Sequence, residues 1–199
     1  MTNPPHPQGS ITTDLTHYLQ PTREHIVSTL DGLDEYAVRR PMTPTGTNLL
    51  GLVKHLASGE LGYLGDCVGR PAPVALPWMD DGSVWDGADM WAKPGESREW
   101  VIDLYRTAWA HSDASIAELG LDAPAQVPWW PAERRRTTLG HLLVRVVDET
   151  AHHAGHADIV RELLDGRGGA DRDEMGDRDY WQGYVAQIQA AADTFDGRR

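Results

Sequence analysis

The segment Thr137–Gly166, TTLGHLLVRVVDETAHHAGHADIVRELLDG, is the clearest helix of the sequence and defines its architecture. Its apolar residues recur at spacings of three and four, the period of an amphipathic helix: Leu139, Leu142, Leu143, Val146, Val160, Leu163 and Leu164. Gly166 is a typical helix end. Three of the nine histidines of the chain fall within five positions of its second half. Because buried imidazoles need hydrogen-bonding partners, the direction in which these histidines point matters.

Helical phase separates these histidines. At about 100° per residue, measured from the apolar line through Leu142, Glu149 and His153 lie within roughly 20° of the inward direction. His156 lies roughly 40° from that direction and His152 roughly 80°. The helix therefore turns Glu149 and His153, one turn apart, towards the core. The phase disfavours the alternative pair of His152 and His156, although these two form the more familiar H-x-x-x-H spacing.

The remainder of the chain predicts further helices separated by turn signals. They cover residues 22–33 after Pro21, 44–69 capped by Asn48, 96–120 capped by Ser97 or Glu96, and 178–195. A long connection, residues 70–97, follows the second helix, and loops of this length inside a domain are often functional. No alternating apolar run requires a strand. We therefore predict an all-α protein, a four-helix bundle with an additional C-terminal helix. We expect a flexible N-terminal arm at residues 1–14 and a single domain at 15–199.

Composition limits the classes of function. A chain of 199 residues with 40% hydrophobic and 24% charged residues fits one globular domain. Its net charge of −12 argues against nucleic acid and against an anionic membrane surface as partners. The N-terminus carries no signal-peptide pattern. The single cysteine, Cys67, excludes an internal disulfide and a cysteine-based metal site and suits a reducing cytoplasm.

A second inward histidine lies on the second helix. His55 stands in the apolar stripe between Leu52 and Leu56. A single histidine of this kind is usually a core residue with a satisfied hydrogen bond. The interpretation of His55 changes when Glu149 and His153 also face the core, because helix bundles build metal sites from side chains on facing helices. Three ligands leave one tetrahedral position open, which is typical of a catalytic metal site.

Tryptophans and charged residues in the loops are candidates for substrate contact. Five tryptophans stand in Pro/Gly/Asp-rich stretches: Trp78, Trp85, Trp91, Trp129 and Trp130. They are either covers over the edge of the core or a wall for a ligand. Charged loop residues either hold a polar cosubstrate or form a solvated surface: Asp86, Asp89, Arg134, Arg135 and Arg136. From both groups we select as substrate-binding candidates Trp85, Trp129, Trp130, Asp89 and Arg135.

These segments together resemble the DinB-like superfamily of four-helix-bundle metalloproteins. The resemblance is closest to the branch of the mycothiol-dependent maleylpyruvate isomerases, in their N-terminal domains, and of related thiol S-transferases. It rests on TGTNLLGLVKHLASGELGYLG, on WDGADMWA and on PWWPAERRRTTLGHLLVRVVDETAHHAGHADIVREL. It implies a divalent metal, usually zinc, bound by His55, Glu149 and His153. For His156 we expect a supporting role beside the ligands, holding Glu149 or a bound water.

The resemblance implies a metal-dependent transferase that joins a low-molecular-weight, mycothiol-like thiol to an electrophilic small molecule. The metal would activate the thiol, so we assign no catalytic residue beyond the metal ligands and no role to Cys67. A metal-dependent hydrolase of the same fold and a non-enzymatic stress-response or binding protein stay open as alternatives. The partners expected are the thiol and the electrophile, with no nucleic acid and no membrane. A homodimer is an open alternative to a monomer.

Overall fold

The computed structural model describes residues 9–166 and 176–196 and confirms the all-α bundle. Its helices are α1 (Ile11–Ser28), α2 (Glu35–Arg39), α3 (Leu49–Leu64), α4 (Pro77–Asp80), α5 (Arg98–Leu119), α6 (Leu139–Asp165) and α7 (Arg178–Asp193). In the bundle, α3 packs against both α5 and α6, and α1 packs against α6. The apolar faces of these helices form two hydrophobic clusters of buried residues. No helix among the described residues combines the length and the apolar character needed to cross a bilayer.

Three predicted helix ends are confirmed by their contacts or conformation, whereas α3 ends at Leu64 and not at the predicted residue Gly69. The side chain of Asn48 accepts a hydrogen bond from the Gly51 amide at the start of α3, and Ser97 caps α5 in the same way. Gly166 follows α6 in the left-handed conformation, with φ of 75°. Such contacts satisfy backbone groups that a helix leaves unpaired at its ends. The additional C-terminal helix is also present, as α7.

The predicted start of the first helix is wrong. The helix α1 begins at Ile11, where the side chain of Ser10 accepts a hydrogen bond from Thr13, and Pro21 lies inside it. Proline inside a helix removes a hydrogen bond, yet α1 buries Leu19, Arg23 and Ile26 on both sides of this position. Tertiary packing therefore outweighs the local signal. Residues 11–14 of the predicted arm are helical, and residues 1–8 lie outside the described part of the chain.

A short two-stranded sheet, which no alternating run in the sequence indicated, accompanies the helices. Residues Pro124–Gln126 form β1 and Arg136–Thr138 form β2, which pair antiparallel with Ala125 opposite Thr137. Three residues are too few to produce a recognisable alternation of apolar and polar side chains. The hairpin leads directly into α6 and carries Trp129 and Trp130 in its connection. It thus fixes the two tryptophans relative to the first turn of α6.

The long loop at residues 70–97 is fastened to the bundle through its main chain. Lys54, fully buried on α3, donates to the carbonyl oxygens of Ala88 (2.9 Å) and Trp91 (3.0 Å). Asn48 donates to the carbonyl of Met90 at 3.1 Å. A Cβ atom on Gly51 would overlap that same carbonyl, so α3 and the loop are in close contact. The loop, which includes α4, is therefore held in one position beside His55.

A buried ion pair joins three helices of the bundle. Arg23 of α1 forms a two-pronged contact with Glu60 of α3 and a second contact, at 2.9 Å, with Asp113 of α5. Arg23 and Glu60 are almost fully buried, whereas the side chain of Asp113 is about half exposed. Burial raises the pKa of Glu60 to about 7 although Arg23 opposes the rise. The pair crosslinks α1, α3 and α5 at a point where neither charge reaches water.

Candidate metal centre and the adjoining groove

His55 of α3 and Glu149 and His153 of α6 come together where these two helices face each other. One potential ligand atom from each lies within 4.8 Å of the other two. The Oε1 atom of Glu149 is 3.4 Å from His55 Nε2 and 3.2 Å from His153 Nε2. The two imidazole rings are 4.9 Å apart between centroids and nearly perpendicular, at 76°. The structure therefore brings together the three side chains that helical phase predicted to face the core. Their role as ligands stays a prediction.

Asp89 orients one of the two imidazoles. Its Oδ2 atom is 2.7 Å from His55 Nδ1, and its side chain is 5% exposed, in the 70–97 loop. With Nδ1 engaged, His55 presents Nε2 to Glu149. A carboxylate on the remote nitrogen of a ligating histidine fixes its tautomer and raises its basicity. The sequence predicted a substrate contact for Asp89, but the structure buries its carboxylate behind His55 and favours a positioning role.

The electrostatics of the three residues show a carboxylate stabilised by imidazoles. The hydrogen bond with His153, followed by that with His55, holds the pKa of Glu149 well below its usual range. Burial opposes protonation of His55, but the hydrogen bonds that the protonated ring donates to Asp89 and Glu149 outweigh it and raise the pKa of His55 to about 9. Both carboxylates thus favour positive charge at this point of the bundle. A divalent cation would supply that charge with both imidazoles neutral.

The donor set and its spacing fit a divalent metal. Two ligands at about 2.0–2.1 Å from a tetrahedral ion are themselves about 3.4 Å apart. The observed separations of 3.4 and 3.2 Å from Glu149 agree with that value. Two imidazole nitrogens and a carboxylate oxygen are ligands that zinc and related divalent ions accept. These three are the one group of histidine, cysteine and acidic side chains in described residues 9–166 and 176–196 with such spacing.

A small cavity adjoins His55 and Glu149 and provides room for a further ligand. Its volume is about 100 Å³. It is lined by His55, Leu56, Gly59, Glu60, Tyr63, Arg145, Val146, Glu149 and Thr150. Arg145 lies 3.5 Å from the second oxygen of Glu149, and its guanidinium covers the Tyr63 ring at 5.0 Å. Neither residue was among the sequence candidates, although Arg145 stands one helical turn before Glu149.

A wider groove lies on the other side of Arg145. We call it the arginine groove; its volume is about 720 Å³. It is lined by Trp130, Glu133, Arg134, Arg136, Thr137, His141, Val144, Arg145 and Asp148. The candidate Arg135 is absent from this lining, because its Nε donates to the Trp130 carbonyl at 2.7 Å. The groove thus contains Arg134, at the end of a short 3-10 turn, and Arg136, at the start of β2, in place of Arg135.

Three of the loop tryptophans form an aromatic wall with Tyr63 between the cavity and the groove. The ring of Trp129 lies 5.4 Å from Tyr63 and 6.5 Å from Trp85, and Trp130 lies 6.1 Å from Tyr63. Trp129 also donates to the Tyr63 hydroxyl at 3.3 Å. Trp85 is 69% exposed, which leaves its face open to a ligand. Trp78, by contrast, is buried in the core, as expected for a tryptophan that covers the edge of the core and does not contact a ligand.

The other histidines of the segment lie at the edge of the centre. His156 is exposed and its Nδ1 is 3.4 Å from His153 Nδ1, so it contacts a proposed ligand other than Glu149. His152 is exposed and bonds the carbonyl of Asp148 one turn earlier. Cys67 is buried, and burial raises the pKa of its thiol to about 12. A thiol with that pKa carries almost no thiolate at neutral pH.

The fold and the site define a class: helical bundles with a His–Glu–His centre between two facing helices. Comparison with protein families identifies the member of that class. The model of the mycothiol-S-transferase family matches residues 14–166, and the chain belongs to that family. The match covers the helices from α1 to α6, including every residue of the centre, and confirms the resemblance to the DinB-like superfamily. A search of the curated proteins finds no match to the chain.

We expect Asp89→Asn to weaken zinc binding about 10- to 100-fold without unfolding the bundle. Asparagine keeps the shape and one acceptor oxygen but loses the charge that supports His55. The measurement is a competition titration between the protein and a zinc-binding dye. The matched control is Asp86→Asn, which removes an exposed carboxylate from the same loop. Equal affinities in the two variants would contradict the positioning role of Asp89.

Proposed function

We propose that the chain is a metal-dependent S-transferase that joins a mycothiol-like thiol to an electrophilic small molecule. The observation that carries the proposal is the position of the candidate metal centre beside a small cavity, with a wide groove next to it. Arg145 lines both spaces. A hydrolase needs room for water beside its metal, whereas a bulky thiol and a second substrate need a wide cleft. The groove supports the transferase over the hydrolase.

The residues present divide the work as follows. His55, Glu149 and His153 would hold the cation, and Asp89 keeps His55 in the tautomer that offers Nε2. A divalent cation at this position lowers the pKa of a thiol that coordinates it. Arg145 places positive charge 3.5 Å from Glu149 and thereby stabilises the carboxylate in its ionised form. The aromatic wall offers apolar faces to the substrates.

The protein supplies no nucleophile of its own in this proposal. Cys67 is 5% exposed and faces the core, so it cannot meet a substrate in the groove. The sulfur of the small thiol forms the new bond to carbon, and the leaving group departs with its electron pair. The thiol proton passes to the solvent. The lone buried thiol is compatible with the reducing cytoplasm in which such a cosubstrate is kept reduced. Zinc as the metal and a homodimer as the assembly stay predictions.

The test is thiol conjugation by the metal-loaded protein. With zinc, mycothiol and the fluorogenic electrophile monochlorobimane, we expect a fluorescent conjugate and released chloride. Removal of the metal with a chelator should lower the rate about 100-fold or more, because several kcal/mol of charge stabilisation are lost. Added zinc should restore it. Consumption of ester or amide substrates without thiol would favour the hydrolase, and metal binding without either reaction would favour the non-enzymatic alternative.

A further inference from the structure

The arginine groove has a charge opposite to that of the chain as a whole. The chain carries a net charge of −12. The groove nevertheless gathers Arg134, Arg136 and Arg145, with His141 beside them, against the two carboxylates of Glu133 and Asp148. Charges that line a concave surface focus the local potential more strongly than the same charges on a convex one. The groove is therefore a positive site on a negative protein.

Two of these arginines are not engaged by the protein. In described residues 9–166 and 176–196, the guanidiniums of Arg134 and Arg136 form no ion pair and no hydrogen bond. Other arginines of the chain are paired: Arg23 with Glu60, for example, and Arg161 with Asp165. A guanidinium is a planar fork of donors that matches a carboxylate or a phosphate. The two forks in the groove are thus available for such a group.

The hairpin fixes the backbone positions from which these two guanidiniums extend. Arg136 lies in β2 opposite Gln126. The backbone amide of Arg134 donates a hydrogen bond to the carbonyl of Pro131 and so closes a short turn. Between them, Arg135 fastens the hairpin by donating to the Trp130 carbonyl. The ring of Trp130 meets His141 edge to face at 5.8 Å and adds an apolar surface beside the cations. Cations next to an aromatic face are suited to a small organic anion.

Arg145 connects this site to the metal centre. Its side chain lines the cavity beside Glu149 as well as the groove, and its Nε atom is buried without a hydrogen-bond partner. An anionic group held by Arg134 and Arg136 would leave the rest of a small molecule directed past Arg145 towards the cavity. The length of that molecule would then determine how close its electrophilic carbon comes to the sulfur of the thiol.

We propose that the arginine groove binds a carboxylate or phosphate group carried by the electrophile. This inference rests on the proposed transferase function and names the class of its second substrate. For a haloacid, the sulfur–carbon bond forms, the carbon–halogen bond breaks, and halide leaves with the electron pair. The proton of the thiol passes to the buffer. The guanidiniums hold the acid group throughout and take no part in the bond changes.

The first arm of the test compares an anionic and a neutral electrophile of nearly the same size and with the same leaving group. For 4-(bromomethyl)benzoate and 4-(bromomethyl)benzamide, whose acid or amide group is separated from the reacting carbon by a ring, the quantity of interest is the ratio of the kcat/KM values. We expect this ratio to fall about tenfold in Arg136→Gln and in Arg134→Gln, as for the loss of one charge-assisted hydrogen bond. The matched control is Arg106→Gln, which removes an exposed guanidinium from α5. An unchanged ratio in both groove variants would overturn the proposal.

The second arm needs neither metal nor turnover. Titration calorimetry of the metal-free protein with phenyl phosphate should show binding that weakens about tenfold in each groove variant and not in Arg106→Gln. Benzyl alcohol, the neutral comparison, should bind no more tightly to the wild type than to the variants. Absence of phenyl phosphate binding by the wild type overturns the groove proposal. Groove-dependent binding without any thiol conjugation supports it and overturns the transferase alone.

Discussion

Replacement of His153 by alanine is expected to abolish stoichiometric metal binding, whereas replacement of its neighbour His152 should leave one metal per chain. His153 presents Nε2 to Glu149 from inside the bundle, and 15% of its side chain is exposed. The side chain of His152 is 68% exposed and lies beside Asp148. Loss of one of three protein ligands leaves two, which is too few to retain a divalent ion at neutral pH. Metal analysis of protein purified without a histidine tag gives the stoichiometry directly.

The two variants control each other because they remove the same side chain from adjacent positions of one helix. Both should keep the circular dichroism and the urea midpoint of a folded bundle. His55→Ala should repeat the effect of His153→Ala from the opposite helix. If His152→Ala removed the metal and His153→Ala retained it, the ligands would be the outer pair of His152 and His156, and the centre described above would be wrong.

The second large effect concerns the buried ion pair of Arg23 and Glu60. We expect Arg23→Met to lower the free energy of unfolding by about 3–5 kcal/mol, because it leaves a buried carboxylate without its cation. A domain is usually stable by about 5–15 kcal/mol, so the loss is a large part of the total. The double variant Arg23→Met/Glu60→Leu should recover much of it, since neither charge remains to be desolvated. Urea denaturation of all three proteins provides the numbers.

The loss in Arg23→Met should depend on pH in one direction. Burial already raises the pKa of Glu60 to about 7 in the folded protein, and removal of Arg23 raises it further. A group whose folded pKa is raised stabilises the fold at low pH, and this contribution disappears as pH rises through that pKa. The variant should therefore be less impaired near pH 6 than near pH 9. Arg106→Met, an exposed control, should change stability by less than about 0.5 kcal/mol at either pH.

Helical periodicity was sufficient to predict the bundle and the meeting of His55, Glu149 and His153 between α3 and α6, while their role as metal ligands stays a prediction. The phase of α6 depends on the regular advance of each residue, so Glu149 and His153 could be separated from His152 without a structure. His55 followed from its place in an apolar stripe. These predictions succeeded because each concerned one face of one long helix, where sequence spacing translates directly into direction.

The parts of the site that come from loops were not predictable in this way. Asp89 reaches His55 because the 70–97 loop folds back on α3, a contact 34 positions apart in the chain. The hairpin at β1 and β2 is too short to leave a pattern, so the choice between Arg135 and its neighbours could not be made. Tyr63 was overlooked because its spacing from His55 suggests an ordinary core residue. The start of α1 was predicted wrongly for a related reason, since tertiary packing outweighed the helix-start signal of Pro21.

The attachment of the 70–97 loop has a consequence for how this site could diversify. The oxygens that accept from Lys54 and Asn48 belong to the main chain of Ala88, Met90 and Trp91, and every residue type offers the same carbonyl. Substitutions in the loop can therefore alter the surface shown to a substrate while Asp89 stays in register behind His55. A library randomised at exposed loop positions such as Trp85 and Asp86 would sample new substrate preferences on a constant metal-binding scaffold.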